Sequence, residues 1–156
     1  MTDPYEAIIR LLEVSHIVYE KTEHEPVFTS EEAAAVRGVS MSQAAKALLF
    51  KTKEGNFVLV VLPGDKRADS KKLKEILKTK GLRFATPEEV EEHMGCKIGS
   101  CYPLGVVAGL RTLVDKSLGH NKEIFFNPGR HDVSVHMAYT DYERLSTPEI
   151  VSVALK

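Results

Sequence analysis

The sequence contains few cysteines and no long apolar run. Only two of its 156 residues are cysteine, Cys96 and Cys101, which excludes a disulfide framework and a zinc site made of four cysteines. The longest apolar run, 57–62, has six residues, whereas a membrane-spanning helix needs about 18 to 20. The first residues are acidic where a signal peptide is basic, so we expect a cytoplasmic protein with no membrane partner.

Several catalytic signatures are also missing. The six histidines form neither an HExxH motif nor an i, i+4 pair. Neither Gly-x-Ser-x-Gly nor the phosphate-binding Gly-x4-Gly-Lys-Ser/Thr motif occurs, so the sequence supports neither a serine hydrolase nor a P-loop enzyme. No second cysteine pair accompanies Cys96 and Cys101. We therefore expect no metal and no cofactor.

Length and composition are those of an ordinary globular chain. Hydrophobic residues make up 43% and charged residues 28% of the sequence, which is typical of globular proteins and not of disordered or fibrous ones. A chain of this length fits one domain. We therefore expect a single domain spanning 1–156.

Periodicity and capping signals predict a mixture of helices and strands. Predicted helices cover 4–15, 31–37, 70–80, 87–94 and a last segment from Thr140, with Gly38, Gly81 and Gly95 ending the second, third and fourth. Predicted strands cover 17–21, 44–50, 57–62, 82–85, 111–115, 122–127 and 132–137. Strands 44–50 and 57–62 should form a hairpin, and the second, apolar at every position, should be covered on both faces. Since helices and strands interleave without a strict rhythm, we expect an α+β fold with a mixed sheet.

Charge is distributed unevenly along a chain whose formal net charge is −1. The segment 66–83 carries eight basic and two acidic residues, whereas 1–32 carries eight acidic and two basic ones. In the predicted third helix, Leu73, Ile76 and Leu77 share the inward face. The solvent face then carries Lys71, Lys72, Lys74 and Lys78. This face is either a phosphate-binding surface for nucleic acid or a solvated face that keeps the protein soluble.

Two further features could carry chemistry. Lys46 interrupts a run of alanine and leucine at the start of a predicted strand, where its ammonium group either points into a cleft or protects a sheet edge from aggregation. The loop 99–105 contains glycines and a proline spaced so that its amides cannot all join a helix or a sheet. These amides either bind a carbonyl or phosphate oxygen, or belong to an ordinary irregular connection.

Four segments, in this order, resemble the YbaK and prolyl-tRNA synthetase editing-domain family of aminoacyl-tRNA deacylases: 24–34, 43–48, 99–105 and 127–132. The resemblance spans nearly the whole chain. In that family a threonine-bearing segment precedes a short helix, a lysine lies beside the pocket, and a Gly-x3-Pro loop lines it. The matching residues here are Thr29, Lys46, Gly99 and Pro103.

The resemblance implies a mixed, barrel-like sheet flanked by helices. It also implies trans-editing, the hydrolysis of the ester that joins a wrongly attached small amino acid, of the alanine, cysteine or serine class, to the 3′ end of a tRNA. An aminoacyl ester is already activated, so a pocket that orients it and polarises its carbonyl suffices, without a nucleophile or a metal.

The resemblance also implies roles for individual residues. Lys46 would bind the terminal adenosine phosphate or stabilise the ester, and the 99–103 backbone, including Gly99 and Pro103, would bind the carbonyl and α-amino groups. His131 is either a polar pocket wall or a general base, or merely solvated, and Thr29 either contacts the substrate or caps a helix. The remaining expected substrate contacts are Ser100, Cys101 and Gly105, and the expected tRNA contacts are Lys71, Lys72, Lys74 and Lys78.

Two other functions remain open from the sequence. A noncatalytic module of the same fold could hold a tRNA or a synthetase, and a small-molecule or nucleotide binder could use the same cleft. Lys46, Gly99 and Pro103 together favour the enzyme, because a scaffold does not need them. Aminoacyl-tRNA is the expected partner, an aminoacyl-tRNA synthetase is a second candidate, and the edited amino acid is left open.

Overall fold

The computed structural model describes residues 3–26, 35 and 40–155. The predicted substrate contact Thr29 lies outside the described residues, and so does the predicted helix 31–37 apart from Ala35. In the part of the chain that the structure describes, no helix is long and apolar enough to cross a membrane.

The described ranges contain five α-helices and eight β-strands. The helices are α1 (Pro4–Val14), α2 (Ser70–Leu77), α3 (Pro87–Met94), α4 (Gly105–Ala108) and α5 (Tyr139–Ser146). The strands are β1 (Tyr19–Glu23), β2 (Ala45–Thr52), β3 (Phe57–Pro63), β4 (Leu82–Phe84), β5 (Arg111–Asp115), β6 (Glu123–Phe126), β7 (Val133–Ala138) and β8 (Glu149–Val151). Strand β1 begins two residues later than predicted, and α4 and β8 were not predicted.

Capping residues fix the starts of α1 and α3 as predicted. The Asp3 carboxylate accepts a hydrogen bond from the Tyr5 N–H, and Pro4 occupies the first helical turn of α1. In α3, Thr86 and Glu89 form a reciprocal capping box, and Gly95 ends the helix with φ +68°. These signals were predictable because each involves residues within one helical turn.

The end of α2 was predicted wrongly. The helix ends at Leu77, and Lys78 adopts a left-handed conformation with φ +53°, so Gly81 does not terminate it. The Gly81 carbonyl instead accepts hydrogen bonds from the Lys53 N–H, at 2.9 Å, and from the Thr79 hydroxyl, at 3.0 Å. Gly81 therefore contacts the distant hairpin instead of capping the helix.

The strands form two sheets. The larger has the order β4-β2-β3-β5-β8, in which β4, β2 and β3 pair antiparallel while β3, β5 and β8 pair parallel. The smaller, β1-β7-β6, is antiparallel. An isolated parallel bridge between Ala44 and Phe125 links the two. The predicted α+β class with a mixed sheet is confirmed.

Strand β3 is covered on both faces, as its unbroken apolar sequence predicted. Leu59 and Val61 belong to one buried cluster, together with residues of α1 and α3. Val58, Val60 and Leu62 belong to a second cluster, which includes Leu73 of α2. Removing each such side chain from water stabilises the fold by about 1.5–3 kcal/mol. Helix α2 is thereby fixed on one face of the larger sheet.

A buried carboxylate ties the last residues to the larger sheet. Asp115, at the end of β5, is only 3% exposed. Its Oδ1 accepts hydrogen bonds from the N–H groups of Val153, at 2.7 Å, and Ala154, at 2.9 Å, while Oδ2 accepts from the Ser117 N–H at 3.0 Å. Burial alone would raise the pKa of Asp115, but hydrogen bonds from Ser117, Val153 and Ala154 lower it below the ordinary value.

We expect Asp115→Asn to lower the free energy of unfolding at pH 7 by about 2 kcal/mol, because charge-assisted hydrogen bonds are removed. Since the folded-state pKa is lowered, this stabilisation is fully present above the unfolded pKa of about 4 and disappears as the pH falls through the lower folded-state pKa. Urea unfolding should therefore show a smaller difference between wild type and variant at pH 3 than at pH 7.

The control for this prediction is Asp141→Asn. It removes only a surface ion pair with Arg144 and should cost less than about 1 kcal/mol. Equal stability of wild type and Asp115→Asn at pH 7 would contradict this account of the buried carboxylate.

Candidate active site

A cavity of about 430 Å³ lies beside β2. Its walls come from β2 itself, the segments 84–90 and 98–101, and the end of β6. The lining residues are Met41, Ala44, Ala45, Lys46, Ala47, Leu48, Leu49, Gly64, Phe84, Ala85, Val90, Ile98, Gly99, Cys101, Phe125, Phe126 and Asn127. A volume of this size suits a small organic group.

Three of the residues predicted from the sequence meet at this cavity. Lys46, Gly99 and Cys101 all line it, although they lie on separate parts of the chain. His131 reaches its wall indirectly, since its Nε2 lies 3.0 Å from the carbonyl oxygen of Ile98, which also lines the cavity. Because a carbonyl oxygen only accepts, this contact places the proton on Nε2.

A tight turn shapes the wall at Gly99. The Ser100 N–H donates to the Lys97 carbonyl at 3.1 Å, and the Ser100 hydroxyl donates to the same oxygen at 2.8 Å. Gly99 has φ +90° at the third position of this turn, the geometry of a type II turn, which requires glycine there. Ser100 itself is 1% exposed and does not line the cavity.

Pro103 and Gly105 are buried and are not among the residues that line the cavity. The Pro103 carbonyl accepts a hydrogen bond from the buried Tyr142 hydroxyl of α5 at 2.8 Å. Gly105 packs so closely on β5 that a Cβ atom there would lie 1.8 Å from the Thr112 hydroxyl oxygen. Both residues anchor the loop to the protein body, a packing role that the spacing of glycines and prolines does not distinguish from contact with a ligand.

Lys46 presents a partly buried ammonium group. Its Nζ donates a hydrogen bond to the backbone carbonyl of Lys66. Burial and the nearby Arg67 lower the pKa of Lys46, and Asp65 opposes that effect. Among the described residues, no carboxylate forms an ion pair with Lys46. Lys46 itself lines the cavity, and its ammonium group is held at the Lys66 carbonyl.

The edge of β2 contributes backbone groups that the sequence did not reveal. Strand β4 pairs only with 50–52, and the Ala85 N–H donates to the Leu49 carbonyl at 2.9 Å. In an antiparallel strand, alternate residues direct N–H and C=O to the same side, so Ala47 directs both groups the same way as Leu49. In the described ranges no strand pairs with Ala47 on that side. This donor and acceptor therefore face the cavity.

Apolar side chains form the rest of the wall. Ala45, Leu49 and Val90 are buried there. Phe84 and Ile98 also line the cavity but are 62% and 54% exposed, which places them at its mouth. No sequence signal marked these two residues, because β4 and the segment around Ile98 meet β2 only through tertiary packing.

Cys101 lies in a setting that favours its thiolate. The Cys96 thiol donates a hydrogen bond to the Cys101 sulfur, burial opposes the effect, and the N–H groups of Cys101 and Gly99 add to it, with the net result that the pKa of Cys101 is lowered. The same hydrogen bond and burial raise the pKa of Cys96. No group of three or more His, Cys, Asp or Glu side chains among the described residues is arranged to hold a metal ion.

Lysines of α2 and of the residues that follow it form a separate surface. Lys71, Lys74, Lys78 and Lys80 line a shallow groove of about 400 Å³ together with Glu75 and Thr79. Leu73 of the same helix is fully buried, as the periodicity predicted. Lys72 is half-buried.

The chain is similar in sequence to known editing proteins. A sequence profile of the aminoacyl-tRNA editing domain matches residues 24–145. The multifunctional Ser/Thr-tRNA deacylase ProXp-y of Escherichia coli strain K12 is 33% identical over 153 residues, covering 95% of this chain and 91% of that protein. A proline–tRNA ligase of Thermosipho melanesiensis is 33% identical over 122 residues, which are 78% of this chain and 21% of the ligase.

The fold has solved counterparts as well. The crystal structure of a candidate trans-editing enzyme for prolyl-tRNA synthetase superposes with a TM-score of 0.86 and 24% identity, covering 100% of this chain and 99% of that one. At this identity the likeness shows a shared fold.

We expect iodoacetamide to modify Cys101 faster than Cys96 in the folded protein, because only the thiolate reacts and only Cys101 lines the cavity. The labelling rate, followed by mass spectrometry against pH, should have its midpoint below the ordinary thiol pKa of about 8.5. Cys96→Ala removes the hydrogen-bond donor and should move this midpoint upward. Equal labelling rates of the two cysteines in the native protein would contradict the assignment.

Proposed function

Because the chain belongs to the aminoacyl-tRNA editing domain family, we propose that it is a hydrolase that removes a wrongly attached small amino acid from tRNA. One observation carries the proposal: Lys46, Gly99 and Cys101, from separate parts of the chain, line a single cavity. The backbone N–H and C=O of Ala47, on the unpaired edge of β2, face the same cavity. A largely apolar cavity with these few donors can hold an aminoacyl ester without a metal or a nucleophilic serine.

The reaction we propose is attack by water on the ester carbonyl. The carbonyl oxygen becomes an oxyanion, which accepts hydrogen bonds from a backbone N–H, with Ala47 as donor, and is stabilised by the Lys46 ammonium. As the water oxygen bonds to the carbonyl carbon it gives up a proton, the bond to the ribose oxygen then breaks, that oxygen takes up the proton, and the free amino acid leaves. Orientation and oxyanion stabilisation supply most of the rate, since the ester is already activated.

The remaining site residues have supporting roles in this proposal. Gly99 allows the turn that forms the wall, and Cys101 contacts the aminoacyl group. His131 positions this wall through its contact with the Ile98 carbonyl. The residues Ser100, Pro103 and Gly105 act by holding the loop in place. Thr29, outside the described residues, stays a predicted substrate contact.

The substrate we propose is tRNA charged with alanine, cysteine or serine. The buried wall residues Ala45, Leu49 and Val90 are apolar and offer no charged partner to a substrate side chain. In an apolar pocket, the transition-state binding free energies of substrates that differ by one methyl or hydroxyl group differ by only about 1–3 kcal/mol. The Escherichia coli relative, whose name includes Ser/Thr-tRNA deacylase, supports serine within this set and makes threonine the next amino acid to test.

Deacylation of a panel of mischarged tRNAs tests the proposal directly. Purified protein should release alanine, cysteine or serine from tRNA faster than it releases a large amino acid such as phenylalanine. A noncatalytic module would instead bind these tRNAs, or a synthetase, without accelerating deacylation over the uncatalysed rate. Tight binding of a free nucleotide with no preference for an aminoacylated end would favour a nucleotide-binding protein.

We expect Lys46→Ala to lower kcat/KM for deacylation about 10- to 100-fold, because one charge-assisted interaction with the reacting group is removed. The free energy of unfolding should change little, since the ammonium group contributes little to the core. Lys51→Ala is the matched control: Lys51 lies on the same strand but its Nζ is 3.3 Å from Glu89 Oε2, away from the cavity lining. Full activity of Lys46→Ala on every tRNA of the panel would remove Lys46 from the proposed site.

We also expect the four lysines within 71–78 to attract tRNA without taking part in the chemistry. Replacing Lys71, Lys72, Lys74 and Lys78 together by glutamine should raise KM for aminoacyl-tRNA. It should also flatten the salt dependence of KM, by about 0.7 to 0.9 in slope for each phosphate that is no longer neutralised. The kcat value, and hydrolysis of a minimal amino-acid ester, should stay the same.

The control for this quadruple variant is Lys116→Gln combined with Lys122→Gln, which removes two exposed lysines elsewhere on the surface. It should leave KM for aminoacyl-tRNA and its salt slope near the wild-type values. An unchanged salt slope in the quadruple variant would mean that the groove only keeps the protein soluble.

A further inference from the structure

An exposed aromatic ring stands at the mouth of the cavity. Phe84 is 62% exposed and belongs to neither of the two buried clusters, although it lines the cavity. An exposed aromatic side chain at the rim of a cavity offers apolar surface to a bound molecule. Its position therefore suits contact with a ligand.

The ring of Phe84 is held in place from behind. Phe84 lies opposite Phe50 in the antiparallel pairing of β4 with β2. The two rings stack with their centroids 4.7 Å apart and an interplanar angle of 25°. Phe50 is only 4% exposed and packs in the second buried cluster. The Phe84 ring therefore presents its exposed surface in a fixed orientation, at a low cost in conformational entropy.

We propose that Phe84 is the stacking surface for the adenine of the tRNA's 3′-terminal nucleotide. The inference rests on the proposed function: if the aminoacyl group occupies the cavity, the ribose to which it is esterified lies at the mouth, and the base attached to that ribose lies beside the rim. RNA ends are commonly bound by stacking an unpaired base on an aromatic side chain. Ile98, 54% exposed, is a second exposed apolar residue that lines the same cavity.

This assignment separates two tasks at the site. The β2 edge and Lys46 act on the ester, which every aminoacyl substrate contains. Phe84 acts on the base, which only the nucleotide end contains. A variant at Phe84 should therefore affect binding of base-containing substrates and leave the chemical step unchanged.

The first test compares two small substrates that differ only in the base. They are 2′(3′)-O-alanyl-adenosine and the same alanyl ester of 1-deoxyribose. Phe84→Ala should raise KM for the adenosine ester about 10- to 100-fold, the effect typical of removing the platform for one stacked base, with kcat unchanged. KM for the base-free ester should not change. An equal rise in KM for both esters, or a rise for neither, would overturn the proposal.

Matched variants separate stacking from general apolar contact. Phe84→Trp keeps an aromatic face and should retain a low KM, whereas Phe84→Leu keeps apolar surface without the face and should behave like Phe84→Ala. Ile150→Ala is the control for an exposed apolar residue, 45% exposed, at β8 on the opposite edge of the same sheet. Wild-type KM in Phe84→Leu would overturn the assignment. Thermal unfolding of each variant verifies that the fold is retained.

A second measurement does not depend on turnover. An amide-linked alanyl derivative of 3′-amino-3′-deoxy-2-aminopurine riboside cannot be hydrolysed as an ester, and the fluorescence of 2-aminopurine is quenched when it stacks. Titration with wild-type protein should quench the fluorescence, and Phe84→Ala should abolish most of the quenching. Equal quenching by both proteins, or none by wild type, would overturn the stacking assignment whether or not esters are cleaved. Failure of the proposed function would appear separately, as the absence of deacylation by wild-type protein.

Discussion

Strand β2 is paired along one edge and only partly paired along the other, and the site depends on this asymmetry. Its edge towards β3 is paired over 45–51, whereas the edge towards β4 is paired only over 50–52. The free stretch around Ala47 leaves backbone N–H and C=O groups without a strand partner among the described residues. An exposed strand edge of this kind can pair with a strand of another chain. Here the unpaired edge lines a cavity instead.

The surroundings of this edge suit ester hydrolysis without a dedicated nucleophile. The loop carrying Gly99 is braced from behind by Tyr142 and by the close packing of Gly105 on Thr112. The preorganised wall keeps polar groups at fixed positions, so little reorganisation is needed when charge develops on a reacting carbonyl. In the proposed mechanism the charge for that purpose comes from Lys46, whose ammonium is partly buried and hydrogen-bonded to the Lys66 carbonyl.

The two faces of the larger sheet have different functions in the proposed mechanism. Alternate residues of β3 enter two separate buried clusters. The cluster with Leu73 fixes α2, and so fixes its lysines on the outside of the sheet. The cluster with Leu59 and Val61 lies on the side of α1 and α3. Strand β3, which is apolar at every position, thus packs on one face against the helix that carries the groove lysines and on the other face against residues that border the cavity.

Local signals in the sequence determined much of this structure, and tertiary contacts decided the rest. The capping box at Thr86, the double coverage of β3 and the inward stripe of α2 depend on residues near one another in the chain, so they were predictable. Lys46 and the loop that contains Gly99 stood out in the sequence with two interpretations each, the family resemblance implied their roles, and the cavity that unites them is a property of the fold. The end of α2, the packing role of Gly105, the open edge at Ala47 and the exposed ring of Phe84 depend on contacts between distant segments. Periodicity and capping report which face of an element is apolar, but not which distant element meets it, so only the tertiary structure could decide these four features.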